Sequence, residues 1–178
     1  MAKSAKRPAS KAAPKLGTPT DLSQKGVDAI SAELRKLLAD TFALYIKTKN
    51  FHWHASGPNF RDYHLLFDEH ASQIYDSTDD LAERARKIGG RTIHSIGEIA
   101  KLSRVKDNDE AFVAPIDMLR ELMDENKKMM KRMRDVHAIC DKYDDVATAS
   151  ILENFIDQTE RRNWFLFEIS RNQDASGH

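Results

Sequence analysis

The chain has 178 residues, and its 28 Lys and Arg balance 28 Asp and Glu, so whole-chain charge selects neither an acidic nor a basic partner. A single cysteine, Cys140, excludes a disulfide-stapled scaffold and fits a reducing, cytoplasmic setting. No apolar run approaches the ~20 residues that span a bilayer, which argues against a membrane partner, and the basic N-terminus lacks the apolar stretch of a secretory signal.

Residues 1–20, "MAKSAKRPASKAAPKLGTPT", carry Lys3, Lys6, Arg7, Lys11 and Lys15 and no acid. With almost nothing to bury, this stretch is predicted to be a disordered tail. A transit peptide shares its basic, acid-poor character and stays open as an alternative. The remainder is mildly acidic and is predicted to form one all-α domain over residues 21–174, followed by a short tail at 175–178.

Four long helices are expected in that domain. The first covers about residues 22–55, with Val27, Ile30, Leu34, Leu37, Leu38, Phe42, Tyr45 and Ile46 spaced for one face. "SGPN" at 56–59 ends it, and Pro58 suits the first turn of the second helix, about 58–88, which Gly89 and Gly90 stop. A linker with a short helix near 96–102 follows. The third helix begins near Pro115 and carries Leu119, Leu122, Met123, Met130, Met133 and Val136, a methionine-rich face that reads as ordinary core. Its basic run, Lys127, Lys128, Lys131, Arg132 and Arg134, reads as a solvated face. "DKYDD" separates it from a fourth helix at about 146–170. Two helix pairs joined by a longer middle connection define a four-helix bundle with a crossover, the ferritin-like arrangement.

The second helix carries charge where a core or an interface should lie. With His64 at zero, 100° per residue places Asp68 at about 40°, Asp79 at about 60° and Glu83 at about 100°, all in one stripe. His52 lies across the short turn, at the end of the first helix. Imidazole and carboxylate together are ligands that iron accepts. The rise splits the stripe, because Asp68 and Asp79 are about 16 Å apart while metal–carboxylate bonds are about 2 Å long. One chain therefore cannot close one site with both pairs. Two copies meeting antiparallel across a two-fold axis near the level of Gln73 and Ile74 can, giving two equivalent sites about 22 Å apart. Polar i,i+4 pairs on an ordinary solvated face are the competing explanation.

Residues 50–90, "NFHWHASGPNFRDYHLLFDEHASQIYDSTDDLAERARKIGG", closely resemble the signature of the Dps family, the DNA-binding proteins from starved cells or mini-ferritins. The matching elements are His52–Trp53, G-x-N-F at Gly57–Phe60, the His64 and Asp68 pair, Asp79 through Arg84, and the glycine pair. Helix order and Trp164 extend the likeness over about residues 22–172. The resemblance implies a hollow homo-dodecameric shell with 23 symmetry. It also implies a di-iron ferroxidase centre shared by two subunits, with His52, His64 and Asp68 from one and Asp79 and Glu83 from the other. Trp53 would sit beside the centre without being a ligand. The implied chemistry is oxidation of Fe(II), by hydrogen peroxide in preference to oxygen, and storage of ferric mineral, with zinc as an alternative occupant of the centre.

Two further expectations concern the shell. Asp141, Asp144 and Asp145 are candidates for an iron-admitting pore at a three-fold axis, with an ordinary helix cap as the alternative. The tail cations suit sequence-independent DNA binding by counterion release, and with it association with the bacterial nucleoid. The Glu-x-x-His motifs of an intrachain di-iron centre do not occur, which points away from di-iron oxygenases. The competing function is a nucleoid architectural protein whose metal site is silent or structural.

Overall fold

The structure, a computed structural model, describes residues 16–174. Its elements are α1 (Gln24–His54), α2 (Phe60–Lys87), α3 (Ile96–Leu102), α4 (Pro115–Lys142) and α5 (Val146–Asp174), with no strand among the described residues. α1 packs along α2 and α4 along α5, the two pairs meet mainly through α1 and α4, and α3 lies on α1 within the crossover. This is the expected all-α ferritin-like bundle with its short crossover helix.

Local chemistry sets the helix ends. The Ser23 hydroxyl accepts from the Gly26 N–H (3.2 Å) at the start of α1, and Ser95 does the same for Glu98 in α3. Pro115 opens α4 in the first turn, where its missing N–H costs nothing. α2 starts two residues later than expected. Gly57, at φ +96°, turns the chain so that the Phe60 N–H reaches its carbonyl (3.0 Å), and Pro58 is spent in that turn. At the other end Gly89 takes φ +89°, and a Cβ on Gly90 would lie 2.4 Å from that of Ser31, so only glycines allow α1 and α2 to close here.

The core forms two clusters along the bundle. One gathers Ile30, Leu34, Leu37, Leu81, Met133 and Leu152, and the other Leu44, Phe51, Phe67, Met118, Leu122 and Leu166. The inner stripe of α1 drifts from the expected one. Thr41, Leu44, Thr48 and Phe51 take the buried positions, leaving Ile46 54% exposed. The basic face of α4 also has an exception. Arg132 turns inward to Asp40 (3.4 Å), which is fully buried and also accepts from the Arg104 backbone N–H and guanidinium, tying the crossover to α1.

The expected tail extends to residue 20, but Leu16–Thr20 is docked rather than loose. Arg86 donates to the Leu16 carbonyl, and the Thr18 hydroxyl donates to the Arg86 carbonyl (2.8 Å). The remainder of the expected tail, and the short tail at 175–178, lie outside the described residues.

His70 on α2 is buried, and burial, with Arg162 and Arg161 adding to it, pushes its imidazole down to about 3. It is therefore neutral in the folded chain, whereas the unfolded chain takes up its proton near pH 6.5. The stability it contributes is present above about 6.5 and is lost as pH falls toward its folded value, by up to about 1.4 kcal/mol per unit. His70→Leu should flatten the pH dependence of urea unfolding between about pH 6.5 and about 4.5, above the carboxylate range. An unchanged slope would mean that His70 titrates normally.

Candidate metal centre

His52 closes the last turn of α1 and His64 opens the second turn of α2. Their Nδ1 atoms reach across the intervening loop to one another's backbone, His52 to the His64 carbonyl (2.7 Å) and His64 to the His52 carbonyl (2.9 Å). A carbonyl only accepts, so each Nδ1 carries the hydrogen, and Nε2 is the nitrogen each ring leaves for a metal. This tautomer is the one that a metal-binding histidine needs, held by backbone hydrogen bonds of the kind that orient such ligands. The rings stack with centroids 3.8 Å apart, and Phe60 lies 5.0 Å beyond His64.

Asp68 stands one turn further along α2, its Oδ1 3.8 Å from the His52 Nε2. Three of the predicted residues, His52, His64 and Asp68, thus stand near one another at the α1–α2 turn. Asp68 also accepts from the Lys49 ammonium (2.6 Å), which, with the charges of Lys49, His52 and His64, holds its carboxyl below the ordinary range against the cost of desolvation. The carboxylate is therefore ionised at neutral pH. Trp53 lies close by, its ring centre 5.7 Å from the Lys49 ammonium, and is largely exposed.

Asp79 and Glu83 sit on the same unbroken helix, exposed and about 16 Å and more beyond Asp68 by helical rise. Glu83 pairs with Lys87 (2.9 Å). One chain does not bring them to the histidines, and among its described residues no three His, Cys, Asp or Glu side chains are grouped closely enough to hold a metal. The middle of the stripe differs from expectation in one respect. Ile74 is buried in the core, so the residues facing outward at that level are Ser72 and Tyr75.

The three aspartates assigned to a pore separate. Asp145 is buried and caps α5, accepting from the Thr148 N–H (3.0 Å) and hydroxyl (2.5 Å) and from Arg84 (2.6 Å), so it is not free to line a channel. Asp141 and Asp144 are exposed, with His137 3.1 Å from Asp141. The tail cations Lys3, Lys6, Arg7, Lys11 and Lys15 lie outside the described residues.

Sequence reasoning did not find Lys49. Its place one turn before His52 was the available signal, but nothing in that spacing said that α1 would aim it at Asp68. Replacing it with alanine should free the carboxylate and tighten binding of Zn(II), a redox-inert probe, several-fold in calorimetric titration. Unchanged affinity would show that the ammonium does not compete with the metal.

The sequence matches the ferritin-like domain family over residues 31–173. It is 31% identical over 83% of its length to a low-temperature-induced protein of Nostoc, covering 81% of that protein. It is 30% identical, again over 83% of its length, to the DNA protection during starvation protein 1 of Deinococcus radiodurans, covering 72% of it. Among solved structures, DpsC from Streptomyces coelicolor superposes with a TM-score of 0.81 at 27% identity, covering 85% of this chain and 88% of that one. The fold and the family match define a ferritin-like protein, and within that class the chain belongs to the Dps family.

Proposed function

We propose that the chain oxidises Fe(II) at centres shared between two-fold-related subunits and stores the ferric product inside a dodecameric shell with 23 symmetry. The observation that carries this reading is the reciprocal His52–His64 arrangement, in which each Nδ1 is held by backbone and the His52 Nε2 lies 3.8 Å from an ionised Asp68. The helix that bears this half-site also bears Asp79 and Glu83 at the spacing an antiparallel partner would complete. Exposed Ile46, Trp53, Leu65 and Tyr75 on α1 and α2 supply apolar surface for that partner.

Iron is the substrate here. Carboxylates favour Fe(III) over Fe(II) and so promote electron loss. Pairing two Fe(II) with one peroxide and two protons yields two Fe(III) and two waters, with no hydroxyl radical released. The basic tail adds sequence-independent DNA binding, which places the protein in the cytoplasm on the nucleoid. The deciding experiment loads the apo-protein with excess Fe(II) and peroxide and measures iron retained after gel filtration. Iron far beyond what the centres can ligate is expected. Retention of only a di-iron complement per centre would overturn storage.

One observation favours a second reading, a DNA-packing shell with a silent or zinc-holding centre. Lys49 already occupies Asp68, supplying a positive charge where the metal would sit.

A further inference from the structure

α5 carries a buried charge that neither the candidate metal centre nor the tail uses. Arg162 is only 6% exposed, inside the bundle. Burial pushes its guanidinium down to about 10, so it keeps its charge at neutral pH. One of its terminal nitrogens donates to the Thr159 hydroxyl (2.7 Å), while its Nε–H finds no acceptor. Among the described residues no carboxylate forms an ion pair with it. Buried charges are ordinarily paired, because taking an ion out of water without a counter-charge is costly.

Arg162 lines a cavity of about 20 Å³ to which all four long helices contribute, among them Thr41 of α1, Ser77 of α2, Met133 of α4 and Thr159 of α5. That is room for one water molecule or a monatomic ion little larger. The hydroxyls of Thr41, Ser77 and Thr159 donate to carbonyls of their own helices (2.8, 2.8 and 2.7 Å), which leaves the Arg162 Nε–H as the buried donor still to be satisfied. Carboxylates projecting into a ferritin-like bundle core are what hold metal cations there. Here no carboxylate lines the space and its one charged side chain is positive, so the cavity selects the opposite sign. The way in is the seam between α2 and α5, which touch sparsely and where Ser77 is half-buried and Gln158 exposed. In the adjoining cleft Glu69 is exposed and accepts from Gln73 (2.9 Å), His70 is neutral, and Arg161 adds positive potential.

We infer that this cavity is an anion site, holding one chloride-sized monovalent anion on the Arg162 Nε–H. The bond is charge-assisted and neutralises the guanidinium, where a water molecule would only solvate it. Phosphate, sulfate and organic acids are too large for the space. The unfolded chain has no such cavity, so halide binds the folded chain alone and shifts the equilibrium toward it.

The test is urea unfolding of the full chain at fixed protein concentration, with sodium chloride exchanged for sodium gluconate at constant ionic strength. The unfolding constant should fall as chloride rises, approaching a tenfold drop for each tenfold of chloride once the site is more than half filled. Arg162→Met, which keeps the length of the side chain without its charge, should lose most of that dependence. Equal unfolding in chloride and gluconate would overturn the site, and so would a dependence that Arg162→Met retains in full. Bromide gives a second measurement that needs no variant. In crystals grown with sodium bromide, an anomalous peak should appear in the cavity within hydrogen-bond reach of the Arg162 Nε. A water there, with no anomalous signal, would mean that the cavity hydrates the charge instead of neutralising it, and the inference falls. Should Arg162→Met fail to fold by circular dichroism, the bromide peak decides.

Discussion

Mixing two inactive variants of this chain should restore iron oxidation to about a quarter of the wild-type rate. One variant carries His52→Ala and Asp68→Ala, the other Asp79→Asn and Glu83→Gln. Each alone should lose on the order of 100-fold or more, since even outer-shell partners of a metal ligand are worth 10–100-fold. A mixed dimer has one centre stripped of both halves and one built from two intact halves. Random pairing of equal amounts makes about half of all dimers mixed, and each has one working centre of two, which gives the quarter. Asp68, Asp79 and Glu83 are exposed and cap no helix, whereas His52 is buried and bonds the His64 carbonyl, so the mass of each parent by light scattering must match wild type before rates are compared. Rates in the co-refolded mixture, followed by ferric absorbance, check this. A mixture as dead as its parents would place both halves of the centre elsewhere.

The helices and the nearness of His52, His64 and Asp68 were legible for a common reason. Both depend on short-range periodicity, the 3.6-residue spacing that gathers Leu34, Leu37 and Leu38 inward and sets His64 one turn from Asp68. Gly89 and Gly90 were legible as a stop because one backbone angle and one close approach demand them. Illegible were contacts between residues far apart in the chain. The three acids at 141–145 looked alike in sequence, yet Arg84, sixty-one residues before Asp145, draws that one into a buried cap and leaves the other two outside. Lys49 escaped notice for the same reason, since its partner lies nineteen residues on, across the α1–α2 turn. Ile46 was misplaced inward because an apolar residue near a helical stripe can serve either the chain's own core or a neighbour's, and sequence alone does not distinguish the two.

Deleting residues 2–15 should abolish DNA retardation at moderate salt while leaving iron oxidation and assembly unchanged. The cut spares Leu16, whose carbonyl Arg86 holds, so the docked stretch up to Thr20 keeps its place on α2. The deletion removes Lys3, Lys6, Arg7, Lys11 and Lys15, after which 28 acidic groups outnumber the 23 basic groups that remain, and the shell repels a polyanion. For the intact protein, one fully engaged tail of five cations gives a slope of about −4 to −5 in log Kobs against log salt. Residues 1–15 can span at most about 50 Å from their anchor at Leu16, enough to let several tails of one shell reach the same duplex. Several tails then act as one multivalent ligand, whose apparent affinity exceeds that of a single tail by about 100-fold or more. Weak binding per tail and firm binding per shell are therefore expected together. Retardation that survives the deletion would move the DNA contact onto the folded domain.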